Sequence, residues 1–146
     1  MGYQKVLVPV SGKHHLQRAA RALEHALRLL EEGGEICFLH CLTEVPYLLS
    51  GEDHKKLVMG DSREAEKLLG PLVERVRDAG ITYSVHIMEG LPVTHIPMLA
   101  FEGKCDVVVM CVGSHNNEPG EPRELVMGGV AERVFQYISI PLLIVH

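Results

Sequence analysis

The chain has 146 residues, of which 47% are hydrophobic, and a formal net charge of −5 at pH 7. This length predicts one domain over residues 1–146, and a negative charge without a lysine and arginine cluster argues against nucleic acid as a partner. The amino-terminal apolar run is too short for a secretory signal and no run approaches the ~18 residues of a membrane span, so we expect a soluble cytoplasmic protein without a membrane partner.

The first part of the chain has the pattern of a strand, a helix and a second strand. Residues 4–10 (QKVLVPV) predict the first strand, with Pro9 near its end, where its missing N–H is not needed. Apolar residues at three- and four-residue spacing over residues 16–30 predict an amphipathic helix, which the glycine pair 33–34 should end. Residues 35–42 (EICFLHCL) predict the second strand.

The next part has a less regular pattern. Residues 43–59 show no clear period, so we expect a connection with a short helix near residues 55–58. Asp61 and Glu64 have capping-box spacing and predict the start of the second long helix. Pro71 lies inside that helix and should kink or split it.

A third strand, a third helix and a fourth strand follow. Residues 81–88 alternate apolar and polar side chains, as an edge strand does. Pro92 predicts a helix that begins at or near it, with a start distorted by Pro97 and an end at Gly103. Residues 106–112 (DVVVMCV) are almost uninterruptedly apolar and predict a strand covered on both faces.

The last forty residues are the most informative stretch. The polar loop 113–122 (GSHNNEPGEP) leaves the fourth strand, and the glycine pair 128–129 leads into a short helix. Residues 140–145 (IPLLIV) predict a terminal strand that has Pro141 at its first position. A loop between the carboxyl end of a strand and the amino end of a helix points backbone N–H groups at one spot, which favours a phosphate or another anion.

This alternation of strands and helices predicts an α/β fold with an open parallel sheet covered by helices on both faces. In such sheets ligands bind beyond the carboxyl ends of the strands, where the strand order reverses. We therefore expect the loops after the first and fourth strands to face each other across a shallow crevice.

The cysteines lie in or beside apolar runs and show no CxxC spacing, so we expect buried free thiols instead of disulfides or a zinc site. An apolar setting should also raise the pKa of Cys111 and leave this thiol inert. The four cysteines are Cys37, Cys41, Cys105 and Cys111.

The histidines do not predict a metal site. His14, His15 and His115 fall on loops at the same expected end of the sheet, but they lack the spacing of a metal motif. His40 and His86 lie on predicted strands, where we expect hydrogen-bonded structural histidines.

Several short motifs along the chain occur together in one known family. They are a first strand ending in Pro-Val, Gly90-Leu91-Pro92-Val93, VVVM before Gly-Ser-His, Gly128-Gly129-Val130-Ala131-Glu132-Arg133-Val134, and a terminal Pro-Leu-Leu-Ile-Val. Together they resemble the universal stress protein family over essentially the whole chain. The resemblance implies a Rossmann-like fold of the adenine nucleotide alpha hydrolase type, with a five-stranded parallel sheet of order 3-2-1-4-5. It also implies a cytoplasmic homodimer with a regulatory role in stress responses, paired through the last strand from Pro141 to Val145.

The resemblance also implies an adenine-nucleotide site with a modified motif. Family members that bind ATP carry Gly-x2-Gly-x9-Gly-Ser/Thr after the fourth strand and an Asp at the end of the first. Here Gly113 fits the first glycine, Asn116 replaces the second, and eleven residues instead of nine separate Asn116 from Gly128. Gly129 replaces the hydroxyl residue and Ser11 replaces the Asp. The expected ligand is ATP, ADP or AMP, with magnesium accompanying the nucleotide. The residues expected to line the site are Pro9, Val10, Ser11, Val112, Gly113, Ser114, His115, Asn116, Gly128, Gly129 and Val130.

These departures from the family motif differ in how strongly they should weaken nucleotide binding. Asparagine tolerates a left-handed backbone better than most residues, so Asn116 can keep the turn. Ser11 can hydrogen-bond a ribose or base but supplies no carboxylate. Glu118 and Glu121 bring negative charge toward a triphosphate, which should weaken its binding. Lys13 could reach a phosphate, but a lone exposed lysine is usually solvated.

Three functional classes stay open at this point. The first is a nucleotide-binding regulator, and the second is a nucleotide-free dimeric module in which the loop 117–123 binds a partner. The third is an enzyme, since residues 10–14 (VSGKH) distantly resemble the Ser-Gly-Gly-x-Asp loop of ATP pyrophosphatases. We predict no catalytic residue, because the sequence offers no nucleophile, base and orienting group at plausible mutual positions.

Overall fold

A computed structural model describes residues 2–11, 16–42, 51–112 and 129–146. Within these residues, strands and helices alternate along the chain. They are β1 (Tyr3–Pro9), α1 (Leu16–Leu29), β2 (Leu30–Leu42), α2 (Gly51–Asp78), β3 (Thr82–Glu89), α3 (Pro92–Glu102), β4 (Val107–Cys111), α4 (Gly129–Tyr137) and β5 (Leu142–Val145). All strands pair in parallel in the order β3-β2-β1-β4-β5, so the predicted fold is confirmed.

Strand β1 lies at the centre of the sheet and packs against helices on both faces. Val6 and Val8 are fully buried in a cluster with residues of α1 and α2. Leu7, which points to the other face, is fully buried with residues of α3 and α4. Because both faces are covered there, the centre of β1 from Val6 to Val8 consists of buried apolar residues.

Asp106 joins β1 and β4 at the amino ends of the two strands. Its carboxylate accepts hydrogen bonds from the N–H groups of Gln4 and Lys5, both at 2.8 Å. Its own N–H donates to the carbonyl of Lys5 at 2.9 Å. These three bonds extend a β1–β4 pairing in which Val6 faces Val107 and Leu7 faces Val108.

Helix α2 differs from the prediction at its start and at its proline. It spans Gly51–Asp78, so the expected irregular connection is wrong over residues 51–54 and at Met59, whereas the short helix expected near residues 55–58 lies within α2. Residues 43–50 lie outside the described part. Asp61 and Glu64 lie inside the helix and form no capping box at its start. The helix also continues through Pro71, so the predicted split is wrong. Packing against the sheet outweighs the missing hydrogen bond, and the buried residues of α2 are Ala65, Leu69, Leu72 and Val76.

The first half of α2 buries no side chain fully against the described part of the fold. Leu57 and Val58 pack on a small cluster that contains Leu42. His54 lies 2.9 Å from a carboxylate oxygen of Glu89 at the end of β3. Every fully buried residue of the helix lies at position 65 or beyond.

The first helix and the second strand meet earlier than expected. Helix α1 ends at Leu29 and β2 starts at Leu30, before the glycine pair 33–34. The register between β1 and β2 shifts within this start, from Tyr3 facing Leu30 to Lys5 facing Glu35. The glycine pair therefore belongs to an irregular strand start and does not end the helix.

Helix α3 begins at Pro92 and has Gly103 as its C-cap, as predicted, but it continues through Pro97 instead of being limited by it. The turn that follows has the hydrogen bonds of a Schellman motif: Lys104 N–H donates to the Phe101 carbonyl and Cys105 N–H to the Ala100 carbonyl. Lys104 consequently has a φ of 54°, a left-handed conformation that costs a residue with a β-carbon ~1–2 kcal/mol.

Strand β3 lies at one edge of the sheet, as its alternating pattern predicted.

Within the described ranges, no helix has the length and apolar character needed to cross a bilayer.

Candidate functional site

The carboxyl ends of β1 and β4 lie side by side in the sheet. Continuing the register of Leu7 with Val108 along both strands brings Ser11 level with Val112. Pro9, Ser11 and Cys111 border one cavity of about 40 Å³, together with side chains from α1. The expected meeting of the two strand ends is therefore observed as far as the described residues extend.

The expected site residues divide into two groups. Those within the described part of the chain are Pro9, Val10, Ser11, Val112, Gly129 and Val130. Those outside it are Gly113, Ser114, His115, Asn116 and Gly128. Lys13, weighed above as a cation for a phosphate, and His14 and His15, weighed as metal ligands, also lie outside it. Gly129 and Val130 form the first turn of α4.

Val10, the residue that follows β1, is held by both of its backbone groups. Val10 is buried, its N–H donates to the carbonyl of Leu39 at 2.8 Å, and its carbonyl accepts from Nδ1 of His40 at 2.8 Å. His40 is thus a hydrogen-bonded structural histidine, as predicted. On the neighbouring strand, Val112 N–H donates to the Val145 carbonyl at 2.9 Å. Both strand ends are fixed by ladder-type bonds up to the point where the loops leave.

The described part of this cavity carries positive charge. Arg18, in the first turn of α1, borders the cavity, and none of the side chains lining it is acidic. Burial raises the pKa of Cys111, and the positive charges of Arg21 and Arg18 partly oppose that rise. A cation at the amino end of a helix is unfavourable, because that end already carries partial positive charge from the helix dipole. A bound anion would interact favourably with both Arg18 and the helix end, so the arrangement is suited to an anion.

The sequence reading missed Arg18. Arg18 lies on the polar side of an amphipathic helix, where an arginine usually faces solvent. The sequence pattern therefore indicated Lys13, and not Arg18, as the cation for a phosphate. The signal that could have revealed it is a first turn of α1 without an acidic residue, followed by Arg21 one turn later. Such a charge pattern is unfavourable for an isolated helix and favourable beside a bound anion.

The described part of the chain holds free cysteines and scattered potential metal ligands. In the part of the chain that the structure describes, no three His, Cys, Asp or Glu side chains come together as a metal site would require. All four cysteines are free, as predicted, but Cys41 and Cys111 are only half-buried. Burial raises the pKa of Cys41 to about 11, and it raises the pKa of Cys111 as expected.

Comparisons with known proteins agree on one family. The family model described as "Universal stress protein family" matches residues 2–146. No curated protein sequence matches the chain.

Solved structures of similar proteins share the fold. The universal stress protein UspA from Lactobacillus plantarum has a TM-score of 0.73 at 17% identity, and the match covers 100% of this chain and 99% of that one. A universal stress protein in complex with cAMP has a TM-score of 0.65 at 20% identity, with 100% and 98% covered. A family protein from Arabidopsis thaliana with AMP bound has a TM-score of 0.66 at 19% identity, with 97% and 90% covered. At these identities the structural likeness shows the fold alone.

Proposed function

The chain belongs to the universal stress protein family, and from this premise we propose that it is a regulatory protein that binds an adenine nucleotide. Two structurally similar proteins of the family were solved with AMP and with cAMP. Their ligands support an adenine nucleotide as the ligand class of this chain.

The observation that carries the proposal is the cavity shared by Pro9, Ser11, Cys111 and Arg18. Its volume of about 40 Å³ exceeds the ~10–15 Å³ that a cavity needs to hold one water molecule. The described residues therefore form one corner of a nucleotide site, large enough for a single polar group of the ligand. Residues 12–15 and 113–128, which flank this corner in the sequence, lie outside the described part.

The donors of this corner fit an anionic ligand. The Arg18 guanidinium offers up to five N–H donors and a full positive charge, and the Ser11 hydroxyl can donate or accept. We infer that Arg18 pairs with a phosphate and that Ser11 bonds the ribose. Gly129 and Val130 would present backbone N–H groups at the amino end of α4. The proposed ligands are ATP, ADP or AMP, with magnesium accompanying the phosphates of the larger nucleotides.

The experiment is a direct search for the ligand. Purified protein is denatured and the released material is analysed by mass spectrometry for adenine nucleotides. Melting curves with ATP, AMP and cAMP, with and without magnesium, then test binding. A ligand at a hundred times its Kd should raise the free energy of unfolding by ~2.7 kcal/mol.

The other classes left open by the sequence give different results in the same experiment. No released nucleotide and no thermal shift would contradict the proposal and favour the nucleotide-free interaction module. Phosphate that accumulates with time during incubation with ATP would favour an enzyme.

We also propose that the chain acts in the cytoplasm as a homodimer paired through its last strand, from Pro141 to Val145. Strand β5 lies at the edge of the sheet, and the carbonyls of Pro141 and Val145 accept hydrogen bonds from β4. By alternation, the N–H of Ile144 points toward the open edge. Four free thiols fit a reducing compartment.

The pairing through β5 has its own test. Ile144→Pro removes an edge donor without removing a bond to β4, so it should halve the mass measured by light scattering. An unchanged mass would contradict pairing through β5.

A further inference from the structure

Two of the four free cysteines lie against each other inside the core. Cys37 on β2 is 0% exposed, and Cys105, between α3 and β4, is 5% exposed. Both belong to the core cluster on the α3 and α4 side of the sheet. The thiol of Cys105 donates a hydrogen bond to the sulfur of Cys37. The fold thus brings together two thiols that are far apart in the sequence.

A buried hydroxyl group lies beside the Cys37 sulfur. Ser84 on β3 faces Cys37 in the β2–β3 pairing, so both side chains point to the same side of the sheet. The Ser84 oxygen is buried and makes no other hydrogen bond in the described ranges. A buried hydroxyl without a partner is unfavourable. This hydroxyl can therefore donate to a thiolate at Cys37.

The surroundings of the pair favour one thiolate. The hydrogen bond from Cys105 holds the pKa of the Cys37 thiol below its ordinary value, although burial opposes this. The Ser84 hydroxyl and the charges of His86 and Lys5 lower it further. The same hydrogen bond and burial raise the pKa of Cys105. The pair therefore loses its first proton more easily than a free cysteine does and keeps the second.

The other two cysteines lack these features. Burial raises the pKa of Cys41 to about 11 and also raises that of Cys111. A second thiol is not among the groups that shift either value. Buried thiols of this kind are ordinarily inert, whereas a cysteine with a lowered pKa is a candidate for reaction.

A cleft in the surface leads to the pair. It measures about 410 Å³, and Cys105 forms part of its wall together with Phe101, Lys104 and Ile140. Its volume far exceeds the ~10–15 Å³ that a cavity needs to hold one water molecule. A molecule as small as hydrogen peroxide can therefore approach the two sulfurs through this cleft.

Cys105 is the member of the pair that has more freedom to move. Cys37 is held within β2 by its pairing with β1 and β3. Cys105 precedes the paired part of β4, which begins at Val107. A disulfide requires the sulfur atoms to approach to ~2.05 Å. We expect the connection that carries Cys105 to make this approach.

We propose that Cys37 and Cys105 form a redox switch, in which a peroxide oxidises the two thiols to a disulfide and a reducing thiol restores them. In the first step the Cys37 sulfur attacks hydrogen peroxide and the O–O bond breaks, so that the thiol and the peroxide give a sulfenic acid and one water molecule. In the second step the Cys105 sulfur attacks the sulfenic sulfur, and the S–O bond breaks with loss of a second water molecule. The two sulfurs lose two electrons, which reduce one peroxide to two water molecules.

The first test counts thiols in the wild-type protein. The reduced protein is treated with a small excess of hydrogen peroxide and unfolded, and its free thiols are alkylated for peptide mass mapping without reduction. We expect a loss of two of the four free thiols and a linked Cys37–Cys105 peptide, and dithiothreitol should restore all four. Four remaining thiols under conditions that fully oxidise a small-molecule thiol would overturn the proposal. A disulfide that involves Cys41 or Cys111 instead would overturn it as well.

The second test separates the two steps with Cys105→Ser. The serine hydroxyl keeps a hydrogen-bond donor for Cys37 but offers no sulfur, so oxidation should stop at the sulfenic acid. Dimedone, which traps sulfenic acids, should then label Cys37 several-fold more than in the wild type. Cys41→Ser is the matched control and should still form the disulfide. Absence of a dimedone adduct at Cys37 in folded Cys105→Ser would contradict the assigned order of steps.

The pH dependence of the first step distinguishes a reactive pair from two thiols that merely pack together. Because the thiolate is the attacking form, the labelling rate of Cys37 in Cys105→Ser should level off below pH 9.0, the ordinary pKa of a cysteine. Inert packing predicts instead that Cys37, which is completely buried, is the slowest cysteine to react and that its rate keeps rising beyond pH 9.0. That second profile would refute the role of Cys37 as the attacking thiol.

Discussion

The imidazole of His40 on β2 donates a hydrogen bond from Nδ1 to the carbonyl oxygen of Val10 at the end of β1, at 2.8 Å. The N–H of Val10 is bonded to Leu39 of the same neighbouring strand. With both backbone groups held, Val10 fixes the direction in which the chain continues to Ser11. His40 thus positions the strand end without lining the cavity itself.

Replacing His40 by phenylalanine should lower the free energy of unfolding by ~1–2 kcal/mol, because the carbonyl of the buried Val10 loses its donor. His40→Gln, which keeps a donor, is the control and should lose less. Urea denaturation followed by circular dichroism is the suitable measurement, since the chain has no tryptophan. Equal stability of His40→Phe and the wild type would show that this bond contributes nothing.

Replacing Arg18 by alanine should weaken nucleotide binding. A charge-assisted hydrogen bond contributes ~1.5–3 kcal/mol, which corresponds to a loss of roughly tenfold to a hundredfold in affinity. Arg28→Ala is the matched control, because Arg28 lies in the last turn of the same helix. Titration of both variants with a fluorescent ATP analogue tests the expectation. The inferred role of Arg18 is wrong if both variants bind equally well.

The alkylation of Cys111 should depend on both pH and nucleotide. Because burial raises its pKa above the ordinary 9.0, less of this thiol is ionised at pH 7.5 than in a free cysteine, and its reaction rate should keep rising beyond pH 9. Since Cys111 borders the cavity, bound nucleotide should slow its reaction with iodoacetamide. Peptide mass mapping at pH 9.5 measures the rate, with Cys41 as an internal control. A rate that levels off below pH 9 would contradict the raised pKa.

Two glycines should respond in opposite directions to alanine. At Gly60, inside α2, a β-carbon meets nothing within 4 Å, so Gly60→Ala should add ~0.5–1 kcal/mol of stability. At Gly90 the φ is +128°, and a β-carbon would lie 2.7 Å from Nε2 of His95, which donates to the Glu89 carbonyl. Gly90→Ala should therefore destabilise the fold by ~1–3 kcal/mol. Thermal unfolding of both variants checks the signs, and a stabilising Gly90→Ala would refute this reading of the turn.

The sheet could be predicted because its signals are local. The apolar runs at residues 4–10 and 106–112 reflect strands that are covered on both faces, and the alternation at residues 81–88 reflects an edge. The start of α2 could not be predicted in this way, since residues 51–59 bury no side chain fully and show no clear apolar period. The continuity through Pro71 depends on tertiary packing, which local pattern does not contain.

The candidate site was predictable only in part. The meeting of the first and fourth strand ends follows from topology, so Ser11 and Val112 were expected beside each other. Arg18 was not, because its relation to Cys111 depends on how α1 is rotated against the sheet. The hydrogen bonds from Gln4 and Lys5 to Asp106 span about a hundred residues of sequence and likewise leave no local pattern.

Helix α2 has 28 residues and is about 42 Å long at 1.5 Å per residue. Its buried side chains all lie in the half that begins at Ala65. In the half that begins at Gly51, Leu57 and Val58 pack on a small cluster and His54 pairs with Glu89. The amide protons of this half should exchange with deuterium well before those around Leu69, because opening this half exposes little apolar surface. We therefore expect local opening that starts at Gly51 and reaches the middle of α2 while the described strands stay paired.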